Sequence, residues 1–302
     1  MNKKVVYIGN FSVHWTTENQ ISKSFKDLGW EVVECQEDRL DIKKVINECK
    51  DADFLLWTRT WIEFQPLIKN ILNAIDIPTV SWHLDLYWGL DRESSVDDDL
   101  FWRVDYVFTA DGGHQEEFKA KGINHYYLSP GVYKPDCYQA EGDGKYSNYD
   151  IAFLGAYYYH GEHTYRSKLI DWLKDNYKFK HINQPCWGEC KNKLFADVKI
   201  MMGDSCFTEN GIYWSDRVPE HCGRGAFLIH PRVKGLEQEY PYYETLIPYA
   251  YNDFNSLRKI IDYYLKANNE RNEIKANAVS HTREHHNWER KIQTVLNIVG
   301  VK

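Results

Sequence analysis

The chain has 302 residues, 43% hydrophobic and 27% charged, a composition that can bury a full core and excludes a disordered, collagen-like or small disulfide-stapled protein. At about 150 residues per domain, two domains are expected. Lys and Arg number 37 against 44 Asp and Glu, a formal net charge of −7, so no overall positive field draws in nucleic acid or an anionic membrane.

Lys3 and Lys4 precede an apolar run, residues 5–8, that is too short for a secretory core, and no run approaches 18 apolar residues, so neither export nor membrane insertion is expected. Seven scattered cysteines, at 35, 49, 137, 186, 190, 206 and 222, are thiol usage for a reducing compartment and point to the cytoplasm. Aromatic residues reach 15%, with 22 Tyr and 11 Trp, enough to build flat faces for sugars or bases as well as core.

In chain order, residues 4–8 form a β-branched run that ends at the turn Gly9-Asn10. Thr17-Glu18-Asn19-Gln20 then reads as a capping box opening a helix with Ile21, Phe25 and Leu28 on one face, closed by Gly29. A strand at 30–35, a helical stripe of Ile42, Val45, Ile46 and Cys49, a strand at 54–57 and a stripe of Leu67, Ile68, Ile71 and Leu72 follow. Strands at 78–82 and 104–109, a helix at 115–120 and a strand at 125–128 lead to Ser129-Pro130-Gly131. This alternation predicts a parallel sheet with helices on both faces.

Residues 134–148 carry Pro, Gly, Asp and Tyr without periodicity and read as a linker. A fresh strand at 151–154 meets Gly155, and the logic repeats: a helix through Leu169, Ile170 and Leu173, a strand at 179–182, a helix at 191–195, a strand at 198–202, a helix at 218–222, and strands at 226–230 and 246–249. Leu257, Ile260, Ile261 and Tyr264 make an amphipathic stripe, and residues 270–299 are helical by periodicity. Two Rossmann-like halves result, with boundaries at 1–135 and 149–280 and a terminal helix over 281–302.

Ligands of such sheets lie beyond the carboxyl ends of the strands. Gly9 stands there in Gly9-Asn10-Phe11-Ser12, a glycine turn that brings backbone N–H groups toward a ligand or is only a turn. His83 and Asp85 follow another strand, as a base with a carboxylate neighbour or as a strand cap and a turn residue. The stretch 215–229 is the most informative. It places Arg217 and Glu220 on one helical face and stops at Gly223 and Gly225. A guanidinium beside glycine N–H groups suits a diphosphate, and a carboxylate suits the paired hydroxyls of a ribose. A surface ion pair between the two is the plain alternative.

That stretch, with Gly235-Leu236-Glu237 and residues 249–261, resembles the GT-B glycosyltransferases, and within them the CgeB-like group-1 transferases. Gly9-Asn10-Phe11, Thr17-Glu18, Gly29, Val32 and Ser129-Pro130-Gly131-Val132 resemble the same enzymes in the same order, so the likeness covers most of the chain. It implies an α/β GT-B architecture: two Rossmann-like domains whose parallel sheets face each other across a cleft, with a carboxyl-terminal helix crossing back to the amino-terminal domain. It further implies that the amino-terminal domain takes the acceptor. The carboxyl-terminal domain would hold a nucleotide sugar through Glu220 at the ribose, Arg217 near the diphosphate and Arg166 as a further phosphate contact; Gly155 and Gly223 there, and Gly9 in the amino-terminal half, are the glycines expected at the donor.

The residue eight before Glu220 is Ile212, where retaining members carrying the EX7E pattern have Glu, so the stereochemical outcome stays open. An inverting route needs a base, with His14, His83 and Asp85 as candidates; a retaining route relies on leaving-group stabilisation by Arg217 and backbone amides. The expected reaction moves a sugar from a nucleotide-sugar donor to an acceptor hydroxyl without a cofactor or a tightly held metal. A polysaccharide, a protein, a metabolite or a phage-type hydroxymethylated DNA base all stand as acceptors, although the net acidity disfavours DNA. A nucleotide-sugar epimerase and a non-catalytic sugar or nucleotide sensor are the alternatives.

Other clusters read more plainly. Asp97-Asp98-Asp99 is a solvated acidic turn rather than a metal site, and His181, Cys186 and Cys190 lack a fourth zinc ligand. His281, His285 and His286 form a surface cluster on a polar helix. Tyr157-Tyr158-Tyr159-His160 is either a stacking wall on the donor side or hinge packing.

Overall fold

Strand β1 (Lys4–Gly9) buries all six of its residues because they alternate between two apolar layers. Val6 and Ile8 join one core, while Val5 and Tyr7 join the other. A computed structural model describes residues 3–58, 65–158, 164–206 and 211–301. It divides into two units, Met1–Tyr133 with Trp288–Lys302, and Lys134–Asn287.

Unit one continues through α1 (Thr17–Asp27), β2 (Glu31–Gln36), α2 (Ile42–Cys49), β3 (Phe54–Trp57), α3 (Gln65–Leu72), β4 (Thr79–His83), α4 (Ser95–Asp98), β5 (Tyr106–Thr109), α5 (Gln115–Ala120) and β6 (His125–Tyr127). Its strands are parallel and lie in the order β2-β1-β3-β4-β5-β6. Unit two runs through β7 (Ile151–Leu154), α6 (Tyr165–Asn176), β8 (Phe179–Ile182), α7 (Glu189–Asp197), β9 (Ile200–Met202), α8 (Arg217–Gly223), β10 (Leu228–Pro231), α9 (Leu236–Glu239), β11 (Ile247–Tyr249), α10 (Phe254–Tyr264) and α11 (Asn268–His285). Its parallel sheet has the order β11-β10-β9-β7-β8. Helix α12 (Trp288–Val299) belongs to unit one, where Trp288, Ile292, Val295 and Leu296 pack with Val5, Tyr7, Phe54 and Leu56.

Each sheet reverses its strand order once, between β1 and β3 in unit one and between β7 and β9 in unit two. Such a switch point opens a crevice at the carboxyl ends of the strands, because the following helices leave to opposite faces. The candidate residues can be placed by that rule.

The expected parallel sheets are present, and three local expectations change. The cap of α1 is Thr16, one residue before the expected box: Thr16 is extended at φ −66° and ψ 159°, and its hydroxyl accepts the Asn19 N–H at 3.3 Å. The segment 134–148 has no regular element beyond a 3-10 turn, Lys134–Asp136, but is pinned to unit two. There Asn192 donates to the carbonyls of Asp136 and Tyr138, and the Asp197 carboxylate accepts the N–H groups of Gly144 and Tyr146. The helical tail breaks at His286-Asn287, where Asn287 Nδ2 turns back to the Arg283 carbonyl at 2.8 Å.

Cys186 and Cys190 are joined by a disulfide, contrary to the expectation of free thiols throughout. Gly188 between them has φ +56°, and the loop brings the two Cα atoms within 5.4 Å. The other five cysteines are buried and outside any disulfide. Among the described residues no helix is long and apolar enough to cross a membrane.

Candidate active site in the carboxyl-terminal unit

A cavity of about 340 Å³ opens at the ends of β7 and β8 against the start of α8, within the range of about 300–1,000 Å³ usual for ligand pockets. Gly155, Trp187, Lys191, Arg217, Glu220 and His221 are among its walls. The elements explain why. Gly155 and Asp204 follow β7 and β9 at the switch point, and one turn of α8 carries Arg217 and Glu220 past them.

Arg217 is held from behind. Its Nη1 donates to Asp204 Oδ1 at 2.8 Å and to Ser215 Oγ at 3.3 Å, its Nε donates to the Leu154 carbonyl at 3.4 Å, and its Cζ stands 5.2 Å from the centroid of Phe153. Nη2 has no hydrogen-bond partner among the described residues. It lies 3.0 Å from where a Cβ on residue 155 would sit, and Gly155 has φ +145°. Only glycine meets both the backbone angle and the close approach. Asp204, 1% exposed, is also clasped by Arg166, whose Nε and Nη2 reach its two oxygens at 2.6 and 3.4 Å. Two guanidinium groups thus share one carboxylate at the switch point. Arg166 is itself buried and is not part of the cavity wall, so it positions Asp204, which positions Arg217.

Glu220 faces the same cavity. Its Oε2 accepts Lys191 Nζ at 2.7 Å and Arg224 Nε at 2.7 Å, while Oε1 has no partner among the described residues. Burial alone would raise this carboxyl, but the Lys191 and Arg224 cations outweigh it and hold the group at about 2. It is therefore ionised at working pH and can only accept hydrogen bonds. Arg224 also ties down Asp136 at 2.5 Å and Asn192 at 2.9 Å, knitting α7, α8 and the segment near residue 136 behind the site. His221 is kept neutral by burial, with Arg217 and Lys191 adding to the effect. Its Nδ1–H donates to the Arg217 carbonyl at 2.7 Å, which leaves Nε2 as a buried acceptor.

Trp187, 46% exposed, is the largest flat surface on the wall, with Lys191 Nζ 5.4 Å from its ring centroid. Arg217 and Glu220 do not pair with each other, so the surface ion pair considered above is absent. Gly223 is buried inside α8 and is not on the cavity wall. Ile212 packs against Gly235, where a Cβ would fall 2.8 Å from its Cγ2.

The remaining expected residues lie in unit one. Gly9 ends β1 against Glu18: a Cβ there would fall 2.8 Å from Glu18 Cγ, which accounts for the glycine by packing. His14 is exposed on the loop before α1 with its ring on Trp15. His83 is buried, its Nδ1 accepting the Asp85 N–H at 3.3 Å and its Nε2 meeting the Tyr87 hydroxyl, so neither nitrogen is open to take a proton. Asp85 is paired with Arg92 at 3.3 Å.

The acidic and histidine clusters are less solvated than expected, since Asp99 and His286 are buried. Asp97 pairs with Lys121, Asp99 is buried and accepts the Phe101 N–H, His181 meets the Gly155 carbonyl, and His281 and His286 both reach the Glu239 carbonyl at 2.7 Å. No group of three or more metal-binding side chains occurs among the described residues. Tyr157 bonds Asp171 and Tyr158 is exposed; Tyr159 and His160 lie outside the described residues. Sequence reasoning missed Asp204, Lys191, Trp187 and Arg224.

Residues 147–297 match the family described as glycosyl transferase-like. No curated protein matches the sequence. Among solved structures, Anabaena Alr3699/HepE in complex with UDP and glucose is similar at a TM-score of 0.67 and 10% identity, covering 99% of each chain. An alpha-glucosyltransferase in complex with UDP-glucose and DNA containing an abasic site is similar at 0.73 and 11%, also over 99% of each chain. T4 phage BGT in complex with its UDP-glucose substrate is similar at 0.64 and 10%, over 99% of this chain and 100% of that one. These likenesses establish the GT-B fold. The family match spans half of the chain and includes every residue lining the cavity, and the protein belongs to the glycosyl transferase-like family, as a glycosyltransferase of GT-B architecture.

Proposed function

We propose that unit two binds a UDP-sugar, with the diphosphate on Arg217 Nη2, the ribose hydroxyls on Glu220 Oε1 and the base on Trp187, and that the sugar passes to an acceptor hydroxyl bound by unit one. One observation carries the reading: a guanidinium and a carboxylate one helical turn apart, each rigidly held by ion pairs on one side and open to the same cavity on the other. A diphosphate needs the first and a ribose diol the second. The three similar solved structures hold UDP or UDP-glucose, which favours uracil as the base.

Arg217 and Lys191 provide positive charge for the diphosphate, so we propose turnover without a divalent cation, to be checked by adding a chelator. Five buried cysteines outside any disulfide suit a reducing compartment, and the proposed place of action is the cytoplasm. The acceptor classes kept are a polysaccharide, a protein, a metabolite or a hydroxymethylated DNA base, with the net charge of −7 counting against DNA.

Calorimetric titration with UDP, GDP, ADP and TDP tests the reading. UDP should bind most tightly, and none of the four binding would overturn it. Trp187→Ala should weaken UDP binding by about 1–3 kcal/mol, the usual worth of stacking a base on an aromatic ring. An unchanged dissociation constant in that variant would move the base elsewhere.

A further inference from the structure

The disulfide between Cys186 and Cys190 closes a ring over residues 186–190 at the edge of the donor cavity. Cys186 and Trp187 line the cavity wall, and Lys191, directly after the ring, lines it as well. Two backbone bonds shape the way out of the ring: the Cys190 N–H donates to the Trp187 carbonyl at 3.2 Å, and the Lys191 N–H donates to the Gly188 carbonyl at 3.0 Å. Arg224 Nη1 also donates to the Gly188 carbonyl, at 3.3 Å, and the Nε of the same guanidinium donates to Glu220 Oε2 at 2.7 Å. The ring therefore meets the proposed nucleotide site twice. It carries the aromatic face, and it shares an arginine with the carboxylate assigned to the ribose.

The two cysteines differ in access. Cys186 is 4% exposed and packs in a cluster with Ile182, Leu194 and Phe195, whereas Cys190 is half-buried and follows the exposed Glu189. A small thiol from solution thus has its approach at Cys190. A ring this short constrains few residues of the unfolded chain, so the crosslink adds little to global stability. The apolar cluster around Cys186 does not need the bond either, since a thiol packs there as a small hydrophobe. What the bond fixes is local, the stretch with Trp187 and Gly188 between the two sulfurs. In the reducing compartment proposed above, a disulfide is usually transient and redox-sensing rather than structural.

We propose that Cys186 and Cys190 form a redox switch on donor binding. The disulfide form holds Trp187 and the Gly188 carbonyl in place for the nucleotide, and the dithiol form releases the ring and weakens the site. A crosslinked loop is already ordered before UDP arrives, whereas a released one loses conformational freedom on binding and so lowers the affinity. The proposal rests on the donor reading above and names the regulation of that same site.

The reagent is a low-molecular-weight thiol, or its disulfide in the opposite direction. Its thiolate attacks Cys190 Sγ, the bond between the two protein sulfurs breaks, and Cys186 leaves as a thiolate that takes up a proton. A second thiolate attacks the outer sulfur of the mixed disulfide. Cys190 then leaves as a thiolate and is protonated, and the small-molecule disulfide departs. Two small thiols are oxidised and the protein disulfide is reduced by two electrons; the reverse exchange, with the small disulfide as oxidant, restores the ring.

The test uses the full chain, treated with oxidised glutathione or with dithiothreitol and then titrated calorimetrically with UDP. Thiol counts in denaturant should read five after the first treatment and seven after the second. The dissociation constant should be at least about fivefold weaker in the dithiol form, the lower end of what a base gains by stacking on an aromatic ring, and reoxidation should restore it. Cys190→Ser should show the weaker affinity after both treatments, with thermal melting as the check that the variant is folded. Amide exchange over residues 186–191 should quicken on reduction, while exchange in β7 and β9 stays unchanged.

Equal UDP affinity in the two forms, seven thiols after both treatments, or wild-type affinity in Cys190→Ser would each overturn the proposal, as would amide exchange around the ring that ignores reduction. Failure of UDP to bind to either form would instead overturn the donor reading, so the two failures are distinct.

Discussion

Replacing Arg217 with alanine is expected to cut sugar-transfer turnover by about 10²–10³-fold, the usual loss when a preorganised donor to developing charge is removed. Negative charge builds on the diphosphate as the anomeric bond breaks, and Nη2 is the guanidinium nitrogen of Arg217 without a partner among the described residues. The fold should survive, because Asp204 keeps Arg166 on both oxygens. Arg217→Lys should recover only part of the activity, since a lysine cannot hold Asp204 and Leu154 while pointing a further donor into the cavity. Steady-state kinetics with UDP release as the readout, alongside thermal melting, separate the two effects. Full turnover in Arg217→Ala would remove the residue from the diphosphate site.

Glu220→Ala carries the second large effect, and it has two parts. The carboxylate neutralises Lys191 and Arg224 in a buried setting, and breaking such a pair by deleting one partner costs about 3–5 kcal/mol, which should appear as a lower urea midpoint. UDP affinity should fall by a further 1.5–3 kcal/mol, roughly the worth of a hydrogen bond to a charged group. Because the folded-state pKa of Glu220 is depressed to about 2, its contribution to stability is fully present above the ordinary carboxylate range. It fades as pH falls from there toward 2. Wild-type stability should therefore drop faster than that of Glu220→Ala over this window, and the gap between them should close. Parallel curves would contradict the ion-pair assignment.

Much of the fold is legible in the residue pattern. The apolar runs ending at Gly9 and Gly155, the helical stripe Ile42-Val45-Cys49, and the glycine stop after α8 carry their periodicities openly, and tertiary packing agrees with them. Arg217 and Glu220 were readable because a polar helix start before a buried strand is a local pattern. Their supports were not. Asp204 sits in a short turn after a three-residue strand, and only the strand order brings it to Arg217. Trp187 precedes α7 and Lys191 lies in its first turn, a stretch whose cysteine spacing drew attention instead. Glu18 read as part of a cap; its burial depends on a glycine nine residues away, a pairing that periodicity does not encode. His83 and Asp85 show the opposite case, since their positions suit chemistry but their hydrogen-bonding capacity is spent on Tyr87 and Arg92.

The central claim is that the cavity between Gly155 and Glu220 cradles an activated sugar's nucleotide. A crystal structure of the protein soaked with UDP measures this directly. The account predicts the diphosphate within hydrogen-bond distance of Arg217 Nη2 and the ribose hydroxyls on Glu220 Oε1. Density for UDP at another location, with the Arg217 and Glu220 side chains untouched, would contradict it.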